Sequence, residues 1–479
     1  MKRYAYNTIV IGAGSAGLVA SYLTAALKAK VLLIEQHKMG GDCLNTGCVP
    51  SKALLSSAKI LSYTHRAHEF GFNTTTIDYD FAKVMERVQQ VITTIAPHDS
   101  VERYTRLGVE CLHGSAKIVA PHHVDVNGKI YSARSIIVAT GARPFVPPII
   151  GIDKIDYLTS DTIWNLRERP RKLLVLGGGP IGVEMAQAFA RLGSEVTIVE
   201  MAQHILTRED NEAIQLITQH LHNENIKILS NHQAKSFLKD GDKKILTCAH
   251  QGQEVSMTFD KVLVALGRQA HVTGFGLEEL GVKLNPRKTV AANSLLATNV
   301  PSIYVCGDVT GPYQFTHMAA HQAWYASINA LFNPFKKFRI NYRVVPWAIF
   351  TDPEIARVGL NEKEAIAQQI PYEVTFYNLN DLDRAITDST AHGFIKILTK
   401  PGKDKILGVT IVSAHASDII AEFILAMRYN LGLNKILATI HIYPTMGEAV
   451  KHASGQWRKN RIPKLALKIL EKFHLWRRT

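Results

Sequence analysis

The chain has 479 residues, 46% hydrophobic and 20% charged, the balance of an ordinary globular protein long enough for about three domains. Its formal charge of +14 is concentrated at the end, where Lys451 to Thr479 carries nine Lys/Arg against one acid, Glu471. Five cysteines exclude a disulfide scaffold, no apolar run reaches the roughly 18 residues of a membrane span, and nothing resembles a signal peptide, so a cytoplasmic protein is expected.

Residues 7–11, "NTIVI", read as a short strand entering "GAGSAG"; a helical pattern, "LVASYLTAALKA", follows, and then a second strand, "KVLLIE". Gly12, Gly14 and Gly17 form a GxGxxG turn. The first glycine permits the tight turn, the second lets a pyrophosphate approach the backbone, and the third lets helix pack on strand. The helix N-terminus supplies N–H donors for the phosphates. Glu35, 18 residues after Gly17, is placed to accept from a ribose diol.

The pattern returns at residues 172–200, "KLLVLGGGPIGVEMAQAFARLGSEVTIVE", with Gly177, Gly179, Gly182 and an acid, Glu200, again 18 residues after the last glycine. Two such units are an internal repeat of a dinucleotide-binding fold. A carboxylate at Glu200 favours a 2′-hydroxyl and repels a 2′-phosphate, so NADH is expected at this site rather than NADPH.

Between the repeats lie a helical stretch (roughly 48–110), the buried strand "IIVATGA" and the stiff connection "RPFVPP", which places a boundary near 145. "KVLVALGRQ" (261–269), containing Gly267, closes the second unit in a similar way. From 272 the chain returns to the first domain through "NVPSIYVCGDVT", and a final domain begins near 343 with strands such as "GFIKILT" and "ILGVTIVS".

"GGDCLNTGCVPSK" (40–52) sets two cysteines five positions apart. In a regular helix that spacing separates Cα atoms by about 8–9 Å, beyond the roughly 4.4–6.8 Å of a disulfide. A bridge therefore needs irregular backbone, which Asn45 and Gly47 tolerate; Pro50 and Ser51 suit the first turn of the following helix. Lys52 shares a helix face with Cys48, where its ammonium lowers the thiolate pKa. A zinc site would want a second Cys/His pair, and the sequence has no CxxC. A redox pair is the favoured reading, with a metal site and inert packing as alternatives. Cys111, Cys248 and Cys306 read as small buried hydrophobes.

"GGDCLNTGCVPSK" resembles the active-site stretch of the class I pyridine nucleotide-disulphide oxidoreductases, homodimeric flavoproteins that include dihydrolipoyl dehydrogenase, glutathione reductase and mercuric reductase. The likeness runs in register over residues 5–450. "VATGA" (138–142), with Thr140 and Gly141, and "TNVPSIYVCGDV" (298–309), with Asp308, resemble further FAD-contact segments. "GGGPIGVE" resembles the nicotinamide site, where Glu184 would pair with Lys52 beside the flavin. "FTDPEIARVG" resembles the opening of the interface domain.

The resemblance implies an α/β fold with two Rossmann-like dinucleotide-binding domains and a C-terminal α+β dimerisation domain. The expected ranges are 1–145 and 272–342 for FAD, 146–271 for NAD(P)H, 343–450 for the interface, and 451–479 for a basic amphipathic tail. It also implies a relay in which NADH reduces FAD and FAD reduces Cys43–Cys48, with Cys48 nearer the flavin and Cys43 meeting a small-molecule acceptor.

Disulfide-reducing members end with a histidine before Pro, five residues ahead of a glutamate, supplied by the partner subunit as acid/base. Here "HIYPTMGEA" keeps Pro444 and Glu448 but has Tyr443 in the histidine position. A phenol with an ordinary pKa near 10 is a poor base at pH 7. Either His441, two residues earlier on an expected strand, substitutes, or the acceptor does not need the proton transfer. Mercuric reductases resemble the second case, since they have tyrosine there. Their C-terminal cysteine pair and N-terminal metal-binding domain are not in this sequence, whose last cysteine is Cys306. The acceptor is thus open between a metal ion and another small molecule, with dihydrolipoyl dehydrogenase or another disulfide reductase as the rival. A redox-switched, membrane-associated binding protein is the rival of another class.

"RIPKLALKILEKFHLWRRT" sets Ile462, Leu465, Ile469, Phe473 and Trp476 on one expected helical stripe among Lys and Arg. A helix docked on its own dimer and a helix at the inner face of an anionic membrane both fit. Nucleic acid is not expected as a partner, because no nucleic-acid module accompanies the charge.

Overall fold

The computed structural model describes residues 4–73 and 76–478; the outermost ends of the expected first domain and tail, residues 1–3 and 479, lie outside the described residues. One compact unit comprises 1–65, 76–205 and 224–341, and a second comprises 66–75, 206–223 and 342–479.

In the first unit, β1 (Tyr6–Ile11), α1 (Ser15–Ala26) and β2 (Val31–Glu35) form the expected strand–helix–strand. β1 lies between β2 and the strand Lys129–Val138, parallel to both. The strand Glu110–His113 extends the sheet beyond β2, and Ile303–Val305 extends it beyond Lys129–Val138, again in parallel. Crossover helices cover such a sheet on both faces, so its strands read as continuous apolar runs; Ile9, Val10, Leu32 and Leu33 are accordingly buried.

The second repeat is β3 (Lys172–Leu176), α2 (Pro180–Arg191) and β4 (Glu195–Val199). Its sheet runs Lys227–Leu229, β4, β3, Lys261–Val264 and Tyr157–Leu158, all parallel. Both sheets therefore place the strand that feeds the glycine turn at their centre, where doubly wound sheets bind ligands at the carboxyl ends of the strands.

The expected helical stretch from 48 to 110 is broken rather than continuous: an 18-residue helix, α3 (Cys48–His65), and then Phe81–Ile95 and Val101–Arg106, each started by a side-chain cap from Asp80 and Ser100.

The other unit holds a five-stranded antiparallel sheet in the order Pro346–Ile349, Glu354–Gly359, Ile406–Ser413, Phe394–Thr399 and Glu373–Asn378. Phe423, Ala449, Val450, Ala453 and Trp457 belong to its buried core. Lys396 is buried at its centre, where Asp210, Glu212 and Glu362 surround the ammonium. Such a charge is tolerated inside only when paired this fully.

Candidate active site

The two glycine turns are near copies. Gly12 and Gly177 take φ of +99° and +104°, open to glycine at no steric cost. A Cβ on Gly12 would stand 2.5 Å from the Ala139 carbonyl oxygen, and one on Gly177 the same distance from that of Ala265. A Cβ on Gly17 would overlap the Gly12 carbonyl, as one on Gly182 would overlap Gly177, so the third glycine is required by helix–strand contact in both. Helices α1 and α2 begin at Gly14 and Gly179 with no side-chain cap, which leaves their first N–H groups to a ligand.

The acids close each turn in the same way. Glu35 accepts from the backbone N–H of Ala13 at 2.6 Å and of His37 at 2.7 Å. Glu200 accepts from Gly178 at 2.7 Å and Ala202 at 2.7 Å. Each carboxylate is fixed at the lip of its turn, where a ribose diol would lie.

The cysteine stretch folds as a five-residue helix (Gly41–Asn45), a break at Thr46 and Gly47, and then α3. The backbone between the cysteines is irregular, as a redox pair needs, although Cys48 itself opens α3 and moves Pro50 to its third position. The break is held from two sides. The Asn45 amide donates to the carbonyls of Met39 and Gly41, both at 2.9 Å, and the Trp164 indole donates to Thr46 O at 2.9 Å. The cysteines are free thiols in hydrogen-bond contact.

That contact splits their acidities. Cys48 is drawn down to about 6, first by the hydrogen bond from Cys43, then by Thr316 and the Lys52 charge, against burial and Glu184. Cys43 is pushed up by its hydrogen bond to Cys48 and by burial. Cys48 is therefore the more acidic thiol of the reduced pair and Cys43 the less acidic. Lys52 Nζ meets Glu184 Oε2 at 2.8 Å, so the ammonium beside Cys48 is anchored to the first turns of α2.

Thr140 donates its hydroxyl to His271 O at 2.8 Å. Gly141 and Gly267 both have positive φ and nothing within 4 Å of an added Cβ, leaving open space beside them. Asp308 is half-buried, and its partial burial pushes its carboxyl up to about 6 despite Arg268 nearby. An acid of this kind is suited to a hydrogen-bonding hydroxyl. Uncapped helix starts, acids at both lips and Asp308 together fit the donor and acceptor groups of two dinucleotides. When bound, FAD supplies a two-electron step between reduced nicotinamide and the cysteines.

Two contributors escape sequence reading. The Thr316 hydroxyl stands 3.3 Å from Cys48 Sγ, from a helix 268 positions away. Arg268 pairs with Asp42, next to Cys43, and donates to Ala142 O at 2.9 Å, with Asp308 at 3.7 Å. Arg268 adjoins Gly267, which is the only local signal for it.

In the other unit, the segment 440–447 is irregular rather than the expected strand, so His441 and Tyr443 do not share a strand face. His441 is also engaged on both ring nitrogens: Nδ1 lies 3.1 Å from Thr439 O and Nε2 lies 3.0 Å from the Glu422 carboxylate. The expected strand face is absent, while the Glu422 carboxylate orients the His441 ring as a third group orients a base. Tyr443 is 67% exposed and donates its hydroxyl to Asp383 at 2.9 Å; that hydrogen bond raises its pKa. Glu448 turns instead to the Thr445 N–H, at 3.4 Å. Asp383, not Glu448, is thus the partner of the tyrosine.

Residues 6–323 match the family described as pyridine nucleotide-disulphide oxidoreductase, and residues 345–454 match its dimerisation domain, which supports a homodimer. A dihydrolipoyl dehydrogenase of Chlamydia muridarum is 34% identical over 93% of this chain and 95% of its own. A mercuric reductase of Bacillus cereus is 32% identical over 94% of this chain and 71% of its own. Among solved structures, LpdA from Mycobacterium tuberculosis aligns with a TM-score of 0.86 at 26% identity over 94% of this chain and 99% of that one. The Cu(II) complex of the HOCl-induced flavoprotein disulfide reductase RclA from Escherichia coli aligns with a TM-score of 0.83 at 25% identity over 95% and 99%. These relatives are oxidoreductases, and the family implies FAD and NAD(P)H. This chain, with its cysteine pair between two dinucleotide turns, belongs to the pyridine nucleotide-disulphide oxidoreductase family.

Proposed function

We propose that the protein is an NADH-dependent flavoprotein reductase that passes an electron pair through FAD to Cys43–Cys48 and on to a metal ion or other small acceptor, in the manner of a mercuric reductase. FAD is assigned to residues 1–145 and 272–342, NADH to 146–271, and the dimer contact to 343–450. The glycines, Glu35, Thr140, Gly141 and Asp308 hold the flavin, and Gly177, Gly179, Gly182, Glu200 and Gly267 hold the nicotinamide dinucleotide. Lys52 and Glu184 orient the meeting point. Cys43 is the outgoing thiol, and the enzyme works in the cytoplasm with its basic tail at the inner face of the membrane.

The carrying observation is Tyr443, which stands where disulfide-reducing members have their histidine and whose hydroxyl is committed to Asp383. Reduction of a disulfide substrate releases a thiolate that needs a proton, and a phenol hydrogen-bonded to a carboxylate is a poor relay for one. A divalent cation held by thiolates takes up the electron pair to become neutral metal, and no leaving thiol has to be protonated.

The test follows NADH oxidation at 340 nm by the FAD-loaded enzyme, with Hg(II) in excess thiol and separately with lipoamide, each with a Cys43→Ser control. Cysteine-dependent turnover with a metal but not with lipoamide is expected. Brisk lipoamide turnover would overturn the metal reading in favour of a dihydrolipoyl dehydrogenase.

A further inference from the structure

The family match ends at residue 454, yet the chain continues into a second helix after Glu448–Lys459, Lys464–Arg478, that buries none of its residues. Ile462, expected on its stripe, falls in the turn before it, since Pro463 disfavours helical geometry in the residue it follows. The stripe therefore consists of Leu465, Ile469, Phe473 and Trp476, which recur every three or four positions and are 70%, 59%, 43% and 71% exposed. At 100° per residue, Lys468 and Lys472 border one edge of the stripe and Arg477 the other. Glu471 is the helix's one acid, against five Lys/Arg.

We infer that this helix lies in the plane of an anionic lipid surface, apolar stripe down, with its cations at the phosphate level. The inference deepens the peripheral-membrane part of the proposed function and is independent of the acceptor. Length decides between lying and spanning: 15 residues extend about 22 Å, short of a hydrocarbon core of about 30 Å. Among the described residues no helix is long and apolar enough to cross. Charge selects an anionic surface: the helix sets five Lys/Arg against Glu471, so anionic headgroups attract it. Trp476 sits near the end of the stripe, as an indole does at a membrane–water boundary.

The experiment is sedimentation of the FAD-loaded enzyme with vesicles of phosphatidylcholine alone or with one-third phosphatidylglycerol, at low and high salt, alongside gel filtration with light scattering. Binding to the anionic vesicles is expected to be at least tenfold tighter than to neutral ones and to weaken with salt. Both Leu465→Glu/Ile469→Glu and a chain ending at residue 460 should lose it, with NADH oxidation and dimer size unchanged. Equal binding to neutral vesicles, retained binding by the truncated chain, or a dimer that falls to monomer on truncation would each overturn the inference, the last by assigning the stripe to the partner subunit. Because binding is read without turnover, a wrong acceptor assignment leaves this result untouched.

Discussion

The turn at Gly12–Gly17 and the turn at Gly177–Gly182 share φ angles, helix starts and the grip of their acids, yet they face different surroundings. The first is covered by the cysteine stretch. Gly40 donates its N–H to Ala13 O at 2.9 Å, and a Cβ on Gly41 would come within 2.6 Å of Gly14 Cα. The second is open at Gly179, where a Cβ would meet nothing within 4 Å, and is closed by Ile205 at Gly178, where a Cβ would come within 2.6 Å of that side chain. One plan thus serves two kinds of ligand. A turn with the redox stretch laid over it suits a cofactor that stays, and an open turn suits one that comes and goes each cycle.

The largest effect should come from closing the crowded turn. Gly41 has φ of +56°, so Gly41→Ala costs about 1–2 kcal/mol in backbone conformation, and overlap with Gly14 adds the usual 1–3 kcal/mol of overpacking. Purified Gly41→Ala should lose most of its bound flavin, read from absorbance at 450 nm. Gly179→Ala, with free space around it, should keep its flavin and raise KM for NADH instead. Equal flavin loss in both variants would break the comparison.

A smaller change separates the two acids. Glu200→Gln removes a charge whose repulsion of a 2′-phosphate is worth about 1 kcal/mol at 4 Å in water and more near protein. The ratio of kcat/KM for NADPH to that for NADH should rise roughly tenfold. Glu35→Gln should leave that ratio alone and weaken flavin retention. A ratio unmoved by Glu200→Gln would detach the acid from cofactor choice.

What could be read from the chain, and what could not, follows the range of each interaction. The glycine spacings and the cysteine pair act within a few residues, and the strand-end acids reach back only 22 positions within one strand–helix–strand unit, so their order alone marks them. Arg268 reaches Asp42 across 226 positions and Trp164 reaches Thr46 across 118, and neither side chain is unusual in its own stretch. Asp383 lies 60 positions before Tyr443; the matching Glu448 drew attention because it was near. The strand expected at His441 rests on the same short range: period-two reasoning needs a strand, and the segment 440–447 is irregular.

Tyr443→His tests the acceptor while leaving both turns intact. Flavin content and KM for NADH should not move. Lipoamide turnover should rise by roughly the hundredfold that general acid–base catalysis supplies, measured at pH 7 in the FAD-loaded dimer. No gain would mean that the thiol exchange is limited elsewhere.

The smallest effects concern an ion pair that joins the two halves of the comparison, Lys52 from the cysteine helix and Glu184 from the helix of the second turn. In the reduced enzyme the Cys48 thiolate is present above about pH 6 and lost as pH falls through it. Lys52 draws that midpoint down and Glu184 pushes it up. Lys52→Met should therefore shift the pH profile of Cys48 alkylation upward, and Glu184→Gln downward. Thr316→Ala, which removes a hydrogen bond to the charged sulfur worth about 1–3 kcal/mol, should also shift it upward, without touching the ion pair. If Glu184→Gln moved the profile up instead, the carboxylate would be acting by holding Lys52 in place rather than by its own charge. The open turn would then reach the thiolate through position alone.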